Sequence, residues 1–343
     1  MVFGLTNKYV IKDTLKNNQD TSKMKKTDNI FIAGPRGLVG SAIIRHLEKK
    51  GYTSLLAPTH SELELMDSQA VSSYFKKNKP AYVFLAAAKV GGIMANNTYP
   101  ADFIYQNLMI QNNIIHQSYV HNIKKLLFLG SSCIYPKHCP QPMKEEYLMT
   151  GPLEPTNSPY AVAKIAGIEM CWSYNRQYGT KFIPVMPTNL YGPNDNFDLD
   201  TSHVLPALIR KFHEGKQNNA ESVIVWGTGY PKREFLYVDD LADACLFIIQ
   251  KEFLSQEHKN KLLFNIGSGR DISVKELAEL IKEITGFKGK IIFDTSIPDG
   301  TPQKLLDISK LKTLKWCAAT KLKDGIAKTY DSFQEQRISL KNI

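Results

Sequence analysis

Tyr160 and Lys164 stand four residues apart in the stretch Tyr-Ala-Val-Ala-Lys, whose composition predicts a helix. On a helix that interval puts both side chains on one face, one turn apart. An isolated phenol titrates near ~10 and is a poor proton donor or acceptor at neutral pH, whereas a neighbouring ammonium stabilises the phenolate. Taken alone, the pair is equally an ordinary exposed helix pair. Two other features give it weight: a glycine-rich turn upstream, from Gly34 to Gly40, and a Ser131-Ser132 pair that closes an apolar run.

The glycines Gly34, Gly37 and Gly40 fall between a short apolar strand, Ile30 to Ala33, and a helix predicted from Ser41 to Lys50. Glycine at these points permits a tight turn and lets backbone approach a pyrophosphate resting on the helix N-terminus. The spacing by itself is weak; its place after the first strand of a βαβ pattern makes it strong. Nicotinamide sites that hold free ribose hydroxyls usually carry an acid at the end of the second strand. Here that stretch reads Ala57-Pro-Thr-His-Ser61, and the first acid is Glu62. Arg36, inside the turn, could meet a 2′-phosphate, or simply face solvent. The balance favours NADP(H).

These residues need a frame, and the chain supplies one. Strands are predicted at Ser54 to Ala57, Tyr82 to Ala88, Lys125 to Gly130 and Phe182 to Met186, with helices at Val71 to Lys77, Pro100 to His121 and Pro159 to Tyr178. Such alternation implies right-handed βαβ units. The expected fold class is α/β: a doubly wound, mostly parallel Rossmann sheet with a smaller α/β C-terminal substrate-binding lobe. Three segments follow: residues 1–28 as a disordered lysine-rich extension, 29–190 as the NADP-binding domain, and 191–343 as mainly the substrate lobe. Phe235 to Asp240, the helix after it and Leu262 to Gly269 read as returns to the parallel sheet.

Composition narrows the partners. The chain has 343 residues, 43% hydrophobic and 22% charged, as in ordinary globular proteins. No apolar run approaches a membrane span. The net charge of +10 owes much to the first 26 residues, which hold six lysines against two aspartates. Elsewhere no Lys/Arg block with interleaved aromatics points to nucleic acid. Five scattered cysteines argue for a reducing compartment, and the first 28 residues lack the apolar core of a secretory signal, so a cytoplasmic protein is expected. Cys133, His138 and Cys139 lack a second pair to complete a zinc site, so no metal is expected.

Longer segments carry a resemblance. Ala86-Ala-Ala-Lys-Val-Gly-Gly92, Asn96 to Tyr105, Gly130-Ser-Ser-Cys-Ile-Tyr-Pro136, Glu154 to Tyr160, Pro187 to Pro193 and Pro298-Asp-Gly-Thr-Pro302 accompany the glycine turn and the Ser/Tyr/Lys set. Assembled, they resemble the extended short-chain dehydrogenases/reductases, and among them the GDP-L-fucose synthase family, from about Ile30 to the C-terminal region. The resemblance implies NADPH and the substrate GDP-4-keto-6-deoxy-mannose, epimerised at C3″ and C5″ and then reduced at the C4″ ketone. It implies that Tyr160 polarises and protonates the C4″ oxygen, that Ser131 hydrogen-bonds it, and that Lys164 lowers the Tyr160 pKa and binds ribose.

The same resemblance places the epimerising base at Cys133 and the acid at His203. An extended backbone would aim Cys133 and Ser131 at one site. Without the family, Cys133 reads as a packing cysteine and His203 as a helix-start residue. Cofactor contacts are implied at Gly34, Arg36, Gly37, Leu38, Val39, Gly40, His60, Leu65, Ala86, Ala87, Leu129, Ser131, Tyr160, Lys164, Pro187, Asn189, Leu190 and His203. Substrate contacts are implied at Lys211, Trp226, Arg233 and Asp299. Relatives can carry Arg where this chain has Lys211 and His60, and Trp226 could instead be a core residue. The helices holding residues 100–121 and 159–178 form the dimer face in related enzymes, so a homodimer is expected, although Ile104, Ile110, Ile114 and Ile115 could equally be plain core. The rivals are a 4-epimerase or 4,6-dehydratase on this fold, and a non-catalytic cofactor-binding scaffold. A dehydratase would want a carboxylate pair where this chain has Ser132-Cys133.

Overall fold

The computed structural model describes residues 23–253 and 261–341. Its main sheet has six parallel strands in the order β2-β1-β3-β4-β5-β9: β2 is Leu55–Leu56, β1 Ile30–Ala33, β3 Tyr82–Leu85, β4 Lys125–Leu129, β5 Phe182–Pro187 and β9 Phe264–Ile266. The strands are mostly apolar on both faces, as a sheet covered by helices on both sides requires; β9 carries the buried Asn265, which accepts from the Tyr135 hydroxyl and donates to the Met143 carbonyl. Alternate residues still divide cleanly: Ile30, Ile32 and Phe84 face one core, Phe31, Val83 and Leu85 the other.

The first core is closed by α1 (Leu38–Lys49) and α7 (Val238–Gln250), through Ile43, Leu47, Leu241 and Cys245. The second is closed by α2 (Ser68–Asn78), α4 (Pro100–Val120) and α5 (Ser158–Tyr178), through Phe75, Ile114, Ile115 and Ile168. A short α3 (Ile93–Thr98) precedes α4. Ile114 and Ile115 are therefore core, and the outward face of α4 carries Tyr105 and Val120 instead.

A second lobe has its own core of Tyr191, Leu205, Phe212, Leu277 and Phe333. It is built from β6 (Asn189–Tyr191), α6 (Val204–Gln217), β7 (Ser222–Trp226), β8 (Lys232–Tyr237), β10 (Asp271–Ser273), α8 (Val274–Thr285), β11 (Lys290–Asp294), β12 (Gln303–Lys304) and α10 (Leu322–Lys341), while the short α9 (Ser309–Thr313) returns to the first core through Leu311. β8 is flanked by β10 and β12 and also pairs with β6; β7 and β11 form a parallel pair.

Two expectations need correction. The helix and strand at 238–250 and 264–266 do return to the main fold, but Phe235–Tyr237 does not: it belongs to β8 of the small sheet, because its neighbours are β6, β10 and β12. The extension also ends sooner than residue 28. Met24 is buried in the first core, Thr53 N–H donates to the Lys26 carbonyl at 3.0 Å, and Lys26 Nζ lies 3.9 Å from the Tyr52 ring centre. The lysine count hid a methionine anchor. Residues 1–22 lie outside the described residues.

Candidate active site

Parallel strands deliver their C-terminal ends to one edge, the usual place for a ligand in an open α/β sheet. The register aligns Ala33 with Leu85, Leu85 with Phe128, and Leu129 with Val185, so Gly34, Ala86, Ser131 and Thr188 emerge together. Gly34 has φ +78°, and a Cβ there would sit 3.0 Å from the Ala87 Cα. At Gly40 a Cβ would run into the Gly34 carbonyl, which lets α1 seat directly on the turn. The helix starts at Leu38, three residues before Ser41, and its N-cap Gly37 offers no side chain. The first amides of α1 are thus left for an anion.

Beside this turn Arg36 is exposed. Glu62, the first acid after β2, accepts from Thr59 N at 2.7 Å and Thr59 Oγ1 at 2.9 Å, and these bonds hold its carboxyl below the usual range. Glu62 is therefore occupied, which suits a phosphate better than a ribose diol next to Arg36. His60 is exposed, with Nε2 3.0 Å from Glu64. Leu65 uses its carbonyl to accept from Asn113 Nδ2 at 2.9 Å. Leu38, Val39, Ala86 and Leu190 pack against the first core, and Ala87 against the second. Pro187 ends β5, and Asn189 Nδ2 donates to the Glu234 carbonyl at 2.9 Å. A glycine turn, an open helix start, a guanidinium and a wall of small residues together fit a dinucleotide phosphate.

The reactive side chains gather one strand further along. Ser131 leaves β4 in extended form, and its side chain faces the Tyr160 hydroxyl closely enough to act on it. Cys133 is close enough to Tyr160 to act on it electrostatically, and Arg233 is within similar reach of Cys133. Cys133 does not sit on extended backbone, as its spacing from Ser131 had suggested. It lies in a 3-10 turn, Ser132–Ile134, which Ser131 Oγ caps by accepting from Cys133 N at 3.2 Å. The turn, not strand periodicity, brings the sulfur round to the phenol.

Tyr160 and Lys164 share the inner face of α5, yet the ammonium does not depress the phenol. Lys164 Nζ donates to the Leu129 carbonyl at 2.8 Å and lies 5.9 Å from the Tyr160 ring centre. Burial dominates both groups: it pushes the Tyr160 phenol well up and lowers Lys164 to about 7. The expected depression of Tyr160 by Lys164 is corrected accordingly. A high phenol pKa keeps the proton on Tyr160 at neutral pH, the form needed to give a proton away.

His203 is indeed the N-cap of α6, but its side chain makes no capping bond. The imidazole keeps an accessible face while protein surrounds the rest, and burial, followed by the nearby Lys304, lowers its pKa. In the second lobe, Lys211 Nζ donates to the Ile224 carbonyl at 3.1 Å and lies 4.7 Å from the Trp226 ring centre. Trp226 is 54% exposed, so it is not a core tryptophan. Asp299 accepts from Thr228 N at 2.9 Å and from Thr228 Oγ1 at 2.5 Å, fixing the turn after Trp226, and it also acts on Arg233. Lys211 thus sits over Trp226, Thr228 holds Asp299, and Arg233 lies within electrostatic reach of both Asp299 and Cys133.

Sequence reasoning missed three participants. Phe103 meets the Tyr160 ring edge-on, with centroids 6.4 Å apart. Lys304 acts on His203 and lines, with Cys133 and Glu154, a small surface cleft. The resembling segment ending at Pro302 stops two residues short of it. Thr228 reveals no function until the fold sets it against Asp299.

Residues 30–267 match the NAD dependent epimerase/dehydratase family, and the chain belongs to that family. Within it the chain groups with the GDP-L-fucose synthases. It is 58% identical over 318 residues to a putative GDP-L-fucose synthase 2 of Arabidopsis thaliana, covering 93% of this chain and 95% of that one. A solved GDP-L-fucose synthetase from Naegleria fowleri bound to NADP is similar at TM-score 0.84 and 30% identity, over 92% of this chain and 96% of that one. So is MlghC, a GDP-mannoheptose C4 reductase from Campylobacter jejuni with NADP bound, at TM-score 0.83 and 44% identity, over 91% and 99%.

Proposed function

We propose that this chain converts GDP-4-keto-6-deoxy-mannose to GDP-L-fucose, using NADPH, by inverting C3″ and C5″ and then reducing the C4″ ketone. The observation that carries the reading is the meeting of Ser131, Cys133 and Tyr160 at the sheet edge, with Arg233 within electrostatic reach of the sulfur. A ketone acidifies the protons on both neighbouring carbons, so one base and one acid can invert each centre through an enolate. Cys133 is the base that removes each proton, with the Arg233 guanidinium within electrostatic reach. His203 returns a proton to the opposite face, and burial makes its protonated form a stronger but scarcer acid.

Ser131 and Tyr160 hold the ketone oxygen throughout, stabilising the negative charge that builds there. Gly34 to Gly40, Arg36 and the small residues Ala86 and Ala87 would hold NADPH, which would supply the hydride that C4″ receives. Tyr160 then gives its proton to the oxygen. Lys164 orients the phenol's surroundings from the Leu129 carbonyl, and its lowered pKa makes it responsive to the phosphates and ribose of the cofactor. Arg233 and Lys211 take the diphosphate and Trp226 the guanine, by bidentate pairing and stacking respectively.

The outward face of α4 and α5 supports a homodimer. Tyr105, Val120, Val162 and Tyr178 are exposed there, and Tyr119 stacks on Tyr178 at 4.1 Å between centroids. The five cysteines are free and, among the described residues, no helix is long and apolar enough to cross a membrane; both facts support a cytoplasmic setting.

The likeness to a GDP-sugar C4 reductase favours one alternative, reduction without epimerisation. Incubation with GDP-4-keto-6-deoxy-mannose and NADPH in heavy water separates the two. Deuterium at both C3″ and C5″ of the product is expected. NADPH consumption with no deuterium at either carbon would leave a plain reductase, and no consumption at all would reject both.

A further inference from the structure

The loop after β3 contains two adjacent glycines, Gly91 and Gly92, at neither of which φ demands glycine. Their backbone could carry any residue; their surroundings could not. A Cβ on Gly92 would lie 3.0 Å from the Ser202 carbonyl oxygen and 3.4 Å from that of Thr201. Gly92 N–H donates to the Thr201 carbonyl at 2.9 Å. The bare glycine thus docks against the two residues that precede His203. Gly91 does the same on the other side: a Cβ there would come 3.2 Å from the Phe103 ring, the ring that meets Tyr160 edge-on.

Both partners of this dock are braced. Asn96 Nδ2 donates to the Gly91 and Gly92 carbonyls at 2.8 and 3.0 Å, and buried Asn107 exchanges hydrogen bonds with both backbone groups of Lys89 at 3.0 Å. Across the contact, Asp198 Oδ1 accepts from Asp200 N, Thr201 N and Thr201 Oγ1 at 3.1, 3.0 and 2.9 Å, while its carbonyl accepts from Ser202 N at 2.9 Å. One exposed carboxylate ties the loop just before His203 into a single rigid turn.

We infer that Gly92 and Asp198 are positioning residues for epimerisation: the Asp198 turn, docked on the bare backbone of Gly92, fixes the His203 imidazole relative to Tyr160 through Phe103. The inference rests on the role given to His203 above. It concerns how the acid is aimed, which hydride transfer does not need. A displacement of a few tenths of an ångström follows from placing a methyl group at Gly92. Since ~1 Å of misplacement can cost about 10²-fold, the loss expected is roughly tenfold.

The test compares Gly92→Ala, Asp198→Ala and His203→Asn with the unaltered protein. Solvent deuterium uptake into GDP-4-keto-6-deoxy-mannose without NADPH reads epimerisation alone. The reverse reaction, GDP-L-fucose with NADP+, begins with hydride transfer and reads reduction without epimerisation. Gly92→Ala and Asp198→Ala should each slow deuterium uptake about tenfold and leave reverse hydride transfer at saturating NADP+ within twofold. Wild-type uptake in both variants, with slow uptake in His203→Asn, overturns the positioning inference and keeps His203 as the acid. Wild-type uptake in His203→Asn overturns the assignment of His203 and this inference with it. Equal losses in uptake and hydride transfer would mean general distortion, which also rejects it. Asp198 is exposed, so its variant decides the matter should Gly92→Ala not fold.

Discussion

Replacing Lys164 by Met tests the claim that the site is dry enough to strip an ammonium of its proton. Lys164 is 3% exposed, its lowered pKa of about 7 comes from burial, and its one hydrogen bond runs to the Leu129 carbonyl. Its folded value lies below the unfolded one, near ~10.4. Below about pH 7 both states hold the proton and the folded state bears the full cost of the buried charge. Between about 7 and 10.5 the folded state has shed the proton and the unfolded state has not, so stability rises with pH. From pH 7 to pH 9 that gain is about 2 kcal/mol, at ~1.4 kcal/mol per unit. Lys164→Met has nothing to titrate there. Losing the donor to Leu129 costs it roughly 1 kcal/mol at every pH. Guanidinium unfolding of both proteins at pH 7, 8 and 9 should show the unaltered protein gaining on the variant by about 2 kcal/mol across the series. A difference that stays constant over this range would mean Lys164 titrates normally, and the description of a dry site would be wrong.

Tyr160→Phe keeps the ring against Phe103 but removes the hydroxyl that faces Ser131; NADPH oxidation should fall by about 10²–10⁴-fold with the fold intact by circular dichroism. Retention of more than a tenth of the rate would exclude Tyr160 as the proton donor. Asp195 is raised to about 7 by burial, and its Oδ2 is buried without a partner. Its folded value exceeds the unfolded one, so it costs stability increasingly as pH rises from about 4 to 7, and Asp195→Asn should stabilise the protein by up to about 4 kcal/mol at pH 8 and by almost nothing at pH 4. Equal effects at both pH values in urea titrations would contradict this. Arg233→Met should weaken GDP binding by about tenfold or more in calorimetry, from the loss of a charge-assisted pair to the diphosphate; unchanged affinity would move the diphosphate elsewhere.

Fold class was legible because a buried parallel sheet writes itself as short apolar runs between helical periods, and Ile30–Ala33, Tyr82–Leu85 and Lys125–Leu129 are such runs. The glycine turn was legible for a steric reason local to the chain. Phe235–Tyr237 was assigned to the wrong sheet because an apolar strand carries no record of which neighbours it will take. Cys133 was placed near Ser131 correctly, but a 3-10 turn three residues long leaves no periodic signal. The direction of the Tyr160 shift could not be read at all. Spacing puts an ammonium one turn from a phenol, but only packing decides whether that ammonium points at the ring or at a carbonyl. Phe103, Gly92 and Asp198 were silent for the same reason: each acts across contacts between segments far apart in the chain.

Thr188 joins the two sheets in a single residue. Its amide donates to Ile266 of β9 at 3.0 Å, its hydroxyl to the Glu234 carbonyl of β8 at 3.3 Å, and β5 ends and β6 begins on either side of it. A hinge placed here would have to part Thr188 from one sheet or the other, so the seam between the lobes is braced where the chain passes from the first to the second.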